Sequence, residues 1–577
     1  MSRSRARRLA AAALLALGLA TAGCGASDRP IRALLRERVD PARRGTDALQ
    51  PLVARFYRER QYRPGWTSVI GARREAFELE VALDRAAQDG LRRNPSEARR
   101  IKELLATLRP TMFGPMPEPR RLAELDVLLT RSYFAGAVQT VGGRVRARDL
   151  PIDWRTGPRR IDLVEALETT LRERRVTLAL RRLDPPHPGY VALRAALERY
   201  RALRAAGGWR EVRPGAPLAL GRQSARVAAL RARLAAEDEL GPPPADSLRF
   251  DAALREAVLR FQRRYGLDTT GVVGAADLAA LDVPVERRVH QIELNLERWR
   301  WVPDSLGDRH LVVNIPEFVL RVVEHDRTVS AMRVVVGKPS WPTPVLSAQV
   351  RYIVFNPLWN VPATIGASEV LLEAQKDPDY LARNNIRVYE GTERDAPEVD
   401  PASIRWDMLS PEDMPYAFRQ DPGPANPVGH VKFMCPNPFN VYLHDTPSGQ
   451  YFRRIDRAFS HGCVRVEKPL VLAEYVLGGA PGWDVKGIEA AIDTSSNSAV
   501  TVPQPLPVHL FYFTAWVDEQ GEVDFRRDLY GLDDLLDKAL RGEPLPTRDE
   551  LDQARGVNVQ LRDQISRLRS ISNDSER

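Results

Sequence analysis

The segment from Phe439 to Glu467, FNVYLHDTPSGQYFRRIDRAFSHGCVRVE, gathers residue types suited to acyl chemistry. Cys463 follows Ser460-His461-Gly462 and precedes Val464-Arg465-Val466. If 463–466 is extended, Cys463 and Arg465 point together while Val464 and Val466 enter a core. Gly462 has no Cβ, so its N–H and that of Cys463 can converge on one point, a geometry that suits a thiol attacking a carbonyl. A thiol of ordinary pKa near ~8.5 is mostly protonated at neutral pH, so the attack needs a base or a neighbouring cation. His444 is the expected base. In an extended 439–444, Asn440, Tyr442 and His444 share the polar face, opposite Phe439, Val441 and Leu443, and the Asp445-Thr446-Pro447 turn follows. His461, two residues before Cys463, is expected on the same face as the thiol, orienting the site or assisting the oxyanion. Arg465 supplies positive charge to the thiolate or to a substrate carboxylate.

Three other arrangements use the same side chains. A zinc site from His444, His461, Cys435 and Cys463 lacks a C-x-x-C knuckle and fits no usual ligand spacing. A Cys435–Cys463 disulfide leaves the Ser-His-Gly run without a purpose. A buried structural Cys beside two incidental His is at odds with the polar face of Tyr442 and His444.

The elements that must position this segment begin near residue 308, where β-branched and aromatic runs appear: Leu311 to Ile315, Phe318 to Val323, Met332 to Val336 and Val350 to Phe355. Runs of this length, bounded by Gly, Pro and Asp, are strands. Between them and Phe439 lies a polar stretch, 366–430, with prolines at 378, 397, 401, 411, 415, 422, 424 and 427. A long irregular insert inside a domain is expected to be a lid over a site. Strand texture returns at 439–444 and at 507–516, and a polar helix with Val557, Leu561, Ile565 and Leu568 closes the chain. Residues 28–215 carry Leu, Ala and Arg at helical spacing, as in Leu122, Leu125, Leu128 and Leu129, with a loop at Pro185, Pro186 and Pro188. Between 221 and 285 a helix from Asp251 to Tyr265, with Leu254, Val258, Phe261 and Tyr265 on one face, precedes a short helix with Leu278 and Leu281.

The chain has 577 residues, 44% hydrophobic and 28% charged, with three Cys, which excludes global disorder and a small disulfide scaffold. Of the +9 net charge, Arg3, Arg5, Arg7 and Arg8 contribute four within the first 23 residues, so the rest carries +5. That excess is too thin for a nucleic-acid footprint. The Arg-rich start, the apolar run Leu9 to Ala22 and Gly23-Cys24 have the layout of an export signal, too short to span a bilayer comfortably. Small residues before a Cys resemble a bacterial lipoprotein box, with Thr21 where Leu is usual; the resemblance implies lipidation at Cys24.

The pair YLHDT and SHGCVRV resembles the signature of the YkuD-type L,D-transpeptidase catalytic domain. FNPLWNVPATI at 355–365, LFYFTAWVD at 510–518, FYRERQYRPGW at 56–66 and the helices of 121–200 are similar to its larger YcbB-like branch. FQRRYGLDTTGVVGAADLAAL resembles a small three-helix peptidoglycan-binding module, with Thr270 and Asp277 where that module usually has Asp and Thr. The expected class is a multidomain α+β protein: a signal peptide at 1–23, a mostly helical scaffold at 24–215 and the module at 216–285. A β-rich catalytic domain at 286–500, with a capping lid at about 366–430, and a C-terminal extension at 501–577 complete it. The resemblance implies an exported peptidoglycan cross-linking enzyme without cofactor or metal. Cys463 would attack the carbonyl of the meso-diaminopimelate residue of a donor tetrapeptide, release D-alanine and pass the acyl group to an amine of a neighbouring stem. It implies His444 as base, Gly462 and Cys463 N–H as oxyanion donors, Tyr442, His461 and Arg465 in support, and Trp359 and Asn360 lining the cleft. Expected partners are peptidoglycan stem peptides and carbapenem-type inhibitors, with membrane contact only through the lipid anchor. Water as acceptor would make the same site an L,D-carboxypeptidase, and a third reading is a non-catalytic wall-binding scaffold.

Overall fold

The structure is a computed structural model and describes residues 28–39, 47–88, 90–110, 116–157, 159–237, 246–391 and 395–556. The export signal, Cys24 and the helix expected around 557–568 lie outside the described residues. The chain divides into two compact units: 1–146, 158–194 and 296–304 make one, and 147–157, 195–295 and 305–577 the other. No helix among the described residues is long and apolar enough to cross a membrane.

Among the described residues the first unit is helical apart from a small hairpin of β1 (Thr67–Ser68) and β2 (Gly71–Ala72). Its long helix Pro119–Gly142 buries Leu122, Leu125, Leu129, Tyr133 and Phe134 at the expected spacing. On the same helix the fully buried Asp126 carboxylate accepts from Tyr57 OH at 2.7 Å, from the N–H groups of Gly65, Trp66 and Thr67, and from Thr67 Oγ1. Five donors to one carboxylate offset the cost of burying it and fix the 56–67 segment against the helix.

In the second unit, the module's helices are Ala225–Ala235, Ala252–Arg264 and Ala275–Leu281. Asp251 caps the second through Leu254 N at 2.9 Å. Both departures from the module's pattern find local work: Thr270 Oγ1 accepts from Val272 N at 3.2 Å within its turn. Asp277 accepts from Gly274 N at 2.8 Å and from the buried Gln262 Nε2 at 2.9 Å, tying the last helix to the turn before it.

The β-rich part is a sheet that closes on itself. Its strands are β3 (Trp154–Arg155), β4 (Arg309–Asn314), β5 (Val319–Glu324), β6 (Arg327–Gly337), β7 (Val345–Phe355), β12 (Val431–Met434), β13 (Leu443–His444), β14 (Ala458–Ser460), β15 (Val464–Val466) and β16 (Ser498–Phe511). The pairing order is β12-β13-β15-β6-β5-β4-β16-β7, and β12 also pairs with β7, so the ring has no free edge; β3 and β14 attach at its sides. Alternation supplies the interior: Leu311 and Val313, Leu320 and Val322, Ile353 and Phe355, Val508 and Leu510 are all buried. A hairpin of β17 (Ala515–Val517) and β18 (Val523–Phe525) follows, and Tyr265 of the module packs at 5.5 Å from Phe525.

The proline-rich insert is more ordered than its composition suggests. With β8 (Trp359–Asn360) just before it, it forms a four-stranded sheet, β10-β9-β11-β8, whose other strands are β9 (Ile386–Glu390), β10 (Glu398–Val399) and β11 (Tyr416–Gln420). Short helices at 363–376 and Tyr380–Arg383 pack on it over a core of its own: Ile365, Val370, Leu381, Val388 and Phe418. The prolines sit in the connections, where no ladder N–H is needed.

Candidate active site

Two short strands carry the site. β13 and β15 run parallel, with Leu443 opposite Val464 and His444 opposite Arg465. Leu443, Val464 and Val466 are buried in the ring's interior, so the alternate residues His444, Arg465 and, one step before the strand, Cys463 share the other face. On the far side of β13, Lys432 of β12 lies opposite His444. Cross-strand partners face the same way, which adds an ammonium to that face.

His444 is 5% exposed, and its Nδ1 is 2.5 Å from the carbonyl oxygen of Asp445. A carbonyl only accepts, so Nδ1 carries the proton and Nε2 keeps its lone pair. The Asp445 carboxylate accepts from Thr446 N at 2.7 Å and from His430 N at 2.8 Å, which holds the expected turn in place. Burial above all, with Arg465 and Lys432 beside it, pulls the His444 imidazole down to about 3, against the Asp445 hydrogen bond. Burial likewise pushes the Cys463 thiol up, opposed by the Tyr442 backbone, Lys432 and Arg465. The resting pair at neutral pH is therefore a thiol and a neutral imidazole.

The loop before Cys463 is fixed from behind. Gly462 has φ +107°, a conformation open to glycine. Its carbonyl accepts from Thr343 Oγ1 at 2.7 Å, Thr343 Oγ1 accepts from Gly337 N at 2.9 Å, and Tyr530 OH donates to Gly337 O at 2.6 Å. A Cβ on Gly337 would lie 2.0 Å from Trp341 O and 3.1 Å from Gly462 Cα, so β6 must end in glycine for this approach. Ser460 Oγ donates to Cys463 O at 2.5 Å and accepts from Gly462 N at 3.1 Å.

Of the two N–H groups expected to converge, that of Gly462 is given to Ser460 Oγ, while that of Cys463 makes no hydrogen bond to a described residue. His461 also departs from its expected place. The backbone turns at 461–462 rather than running extended, and His461 Nε2 lies 2.7 Å from Glu369 Oε1 of the insert, with its ring edge-on to Trp341 at 5.4 Å. Only Leu443 and His444 of the 439–444 segment form a strand. Asn440 takes φ +53°, and the Asn437 side chain organises a turn by donating to the carbonyls of Cys435 and Val441, both at 2.7 Å. Trp359 packs against the insert's core and Asn360 is exposed, both in β8 opposite Gln420 and Arg419. Cys435 and Cys463 are both free thiols; Cys435 is buried with its Sγ 3.6 Å from Val441 O, and burial pushes it up to about 12.

Residues 308–485 match the family model described as the YkuD L,D-transpeptidase catalytic domain, 51–197 match a "Scaffold domain", and 223–281 match a "Putative peptidoglycan binding domain". A Haemophilus influenzae protein named "Putative L,D-transpeptidase" is 34% identical over 249 residues, 43% of this chain and 49% of the relative. The chain thus spans about half the length of that curated relative. Among solved structures, similarity is found to an L,D-transpeptidase from Xylanimonas cellulosilytica, at 16% identity over 52% of this chain and 100% of that one with a TM-score of 0.16. An L,D-transpeptidase from Mycobacterium smegmatis matches at 15% identity over 35% of this chain and 58% of that one, with a TM-score of 0.17. Most strands of the closed sheet, with Cys463 and His444, thus lie in the stretch that matches the YkuD L,D-transpeptidase catalytic domain model, and the three-helix module lies in the stretch that matches the putative peptidoglycan-binding domain model.

Proposed function

We propose that the protein is a peptidoglycan L,D-transpeptidase that works through a thioester on Cys463. The observation that carries this reading is the face shared by Cys463, His444 and Arg465, with the imidazole anchored through Nδ1 so that Nε2 is available as the base. In the first half-reaction Sγ bonds to the meso-diaminopimelate carbonyl carbon while the thiol proton passes to His444 Nε2. The Cys463 N–H faces the developing oxyanion. Collapse breaks the bond to D-alanine, whose amine takes the proton from His444. In the second half-reaction an amine of the acceptor stem attacks the thioester, gives its proton to His444, and Cys463 leaves as the thiol.

Arg465 supports recognition of an anionic donor: its Nε is buried without a hydrogen-bond partner, a donor that a stem carboxylate would satisfy. Tyr442 and the Glu369–His461 contact border the site from the turn and from the insert. The insert is proposed as a cap over the cleft, with the module at 216–285 and the scaffold at 24–215 holding the enzyme to the wall. Both peptidoglycan-related domains imply action in the cell envelope, and the Gly23-Cys24 pattern supports export with a lipid anchor.

The test is incubation of the purified protein with disaccharide tetrapeptides and mass analysis of the products. Loss of D-alanine with formation of a 3-3 linked dimer is expected. Accumulation of tripeptide alone would make water the acceptor and the protein an L,D-carboxypeptidase, and unchanged substrate would leave a wall-binding scaffold.

A further inference from the structure

The most unusual charge on the site face is Lys432. It is directly opposite His444 across β12 and β13, its Nζ lies 4.1 Å from the centre of the Tyr442 ring, and no carboxylate among the described residues pairs with it. Arg465 flanks His444 from the other strand and also lacks a carboxylate partner among the described residues. Two cations without counter-ions on one face are costly unless negative charge appears there during the working cycle.

The titratable and charged groups around this point come from four elements. β12 gives Lys432, with Cys435 just past its end; β13 gives His444, with Tyr442 just before it; β15 gives Arg465, with Cys463 before it; and Tyr451 lies beyond Arg465. None of these is a carboxylate. Burial lowers Lys432, and the groups that oppose the lowering are the two thiols, Cys463 first. Lys432 in turn lowers both Cys463 and His444.

Resting on the reading of Cys463 as the nucleophile, we propose that Lys432 is an electrostatic positioning residue. Held over the Tyr442 ring, its ammonium stabilises the charge on the Cys463 sulfur as the proton leaves for His444 Nε2 and the bond to the carbonyl carbon forms. The imidazolium that forms beside two cations is in turn a strong acid, ready to protonate the leaving amine. Lys432 thus divides the proton's path: it eases its departure from sulfur and hastens its delivery to the amine. Such a role needs a full positive charge at that point and no hydrogen bond to the thiol.

The test compares Lys432→Met and Lys432→Arg by two readouts. Alkylation of Cys463 by iodoacetamide, followed by peptide mass from about pH 5 to about pH 10, reports the thiolate fraction. In Lys432→Met its midpoint is expected to move up by roughly one pH unit, about a tenfold lower alkylation rate at neutral pH, with Lys432→Arg near wild type. In the pH profile of acylation by the tetrapeptide, both limbs are expected to move to higher pH together, because one positive charge acts on both groups. A merely structural lysine would lower the rate at every pH and leave the limbs in place. Unmoved midpoints, or equal shifts in Lys432→Arg and Lys432→Met, would overturn the proposal. Lys432→Gln, which keeps a polar end, provides the same comparison if the Met variant does not fold. Failure of Cys463→Ala to abolish acylation would instead overturn the proposed function, so the two failures are distinct.

Discussion

His444 and Arg465 are direct cross-strand partners in the parallel pair β13–β15, so the imidazole proposed as base sits beside a guanidinium. With burial, that neighbour keeps the imidazole neutral down to about 3. A neutral base is ready to accept the thiol proton at any pH compatible with life, and no preformed thiolate–imidazolium pair is required.

The first consequence is kinetic. With thiol and imidazole both neutral in the reactive form, acylation of wild-type protein should stay flat across about pH 5 to 8, its acid limb lying well below the ordinary histidine value. His444→Ala should lose about 10²- to 10⁴-fold at neutral pH and regain rate about tenfold per pH unit, because only free thiolate then attacks. A wild-type limb near the ordinary histidine value would contradict this assignment.

The same depression has a thermodynamic side. The unfolded chain protonates this histidine below about 6.5 while the folded chain refuses the proton, so the His444 contribution is present above that pH and lost as pH falls toward about 3. The slope from this one group is about 1.4 kcal/mol per pH unit in that window. Thermal melts at pH 7 and pH 4.5 should therefore show a smaller drop for His444→Gln than for wild type.

A third expectation concerns the loop behind the thiol. Gly337→Ala places a Cβ 2.0 Å from the Trp341 carbonyl and against Gly462. The forced shift should cost about 1–3 kcal/mol in a denaturant titration and lower acylation through displacement of Cys463. The loss should be larger than for Gly449→Ala, where a Cβ meets nothing within 4 Å.

His461 yields a fourth. Its imidazole is engaged by Glu369 and Trp341 rather than placed on the strand face with His444. His461→Ala should slow acylation by no more than about tenfold, far less than His444→Ala. Equal losses in the two variants would transfer the role of base to His461.

What is legible in the sequence follows from the range of the interactions. The alternation of Cys463 with Val464 is local and survives intact, as does the pairing of His444 with a turn that holds it. Strand alternation predicts an extended 439–442, but Pro436-Asn437-Pro438 is a turn signal that outweighs it, and Asn437 bonds the carbonyls on both sides. The insert read as irregular because its prolines are visible one by one, whereas its core joins Ile365 to Phe418 across more than fifty residues. No local pattern marks Lys432, Thr343 or Tyr530. Each reaches the site through cross-strand register or a distant hydrogen bond, and Lys432 in Val431-Lys432-Phe433 looked like any outward residue of a strand.

The central claim is that Cys463 forms the acyl-enzyme, and intact mass after incubation with a carbapenem tests it most directly. A single covalent adduct on wild-type protein, absent from Cys463→Ala while the variant stays folded, is the predicted result. An adduct that persists in Cys463→Ala would contradict it.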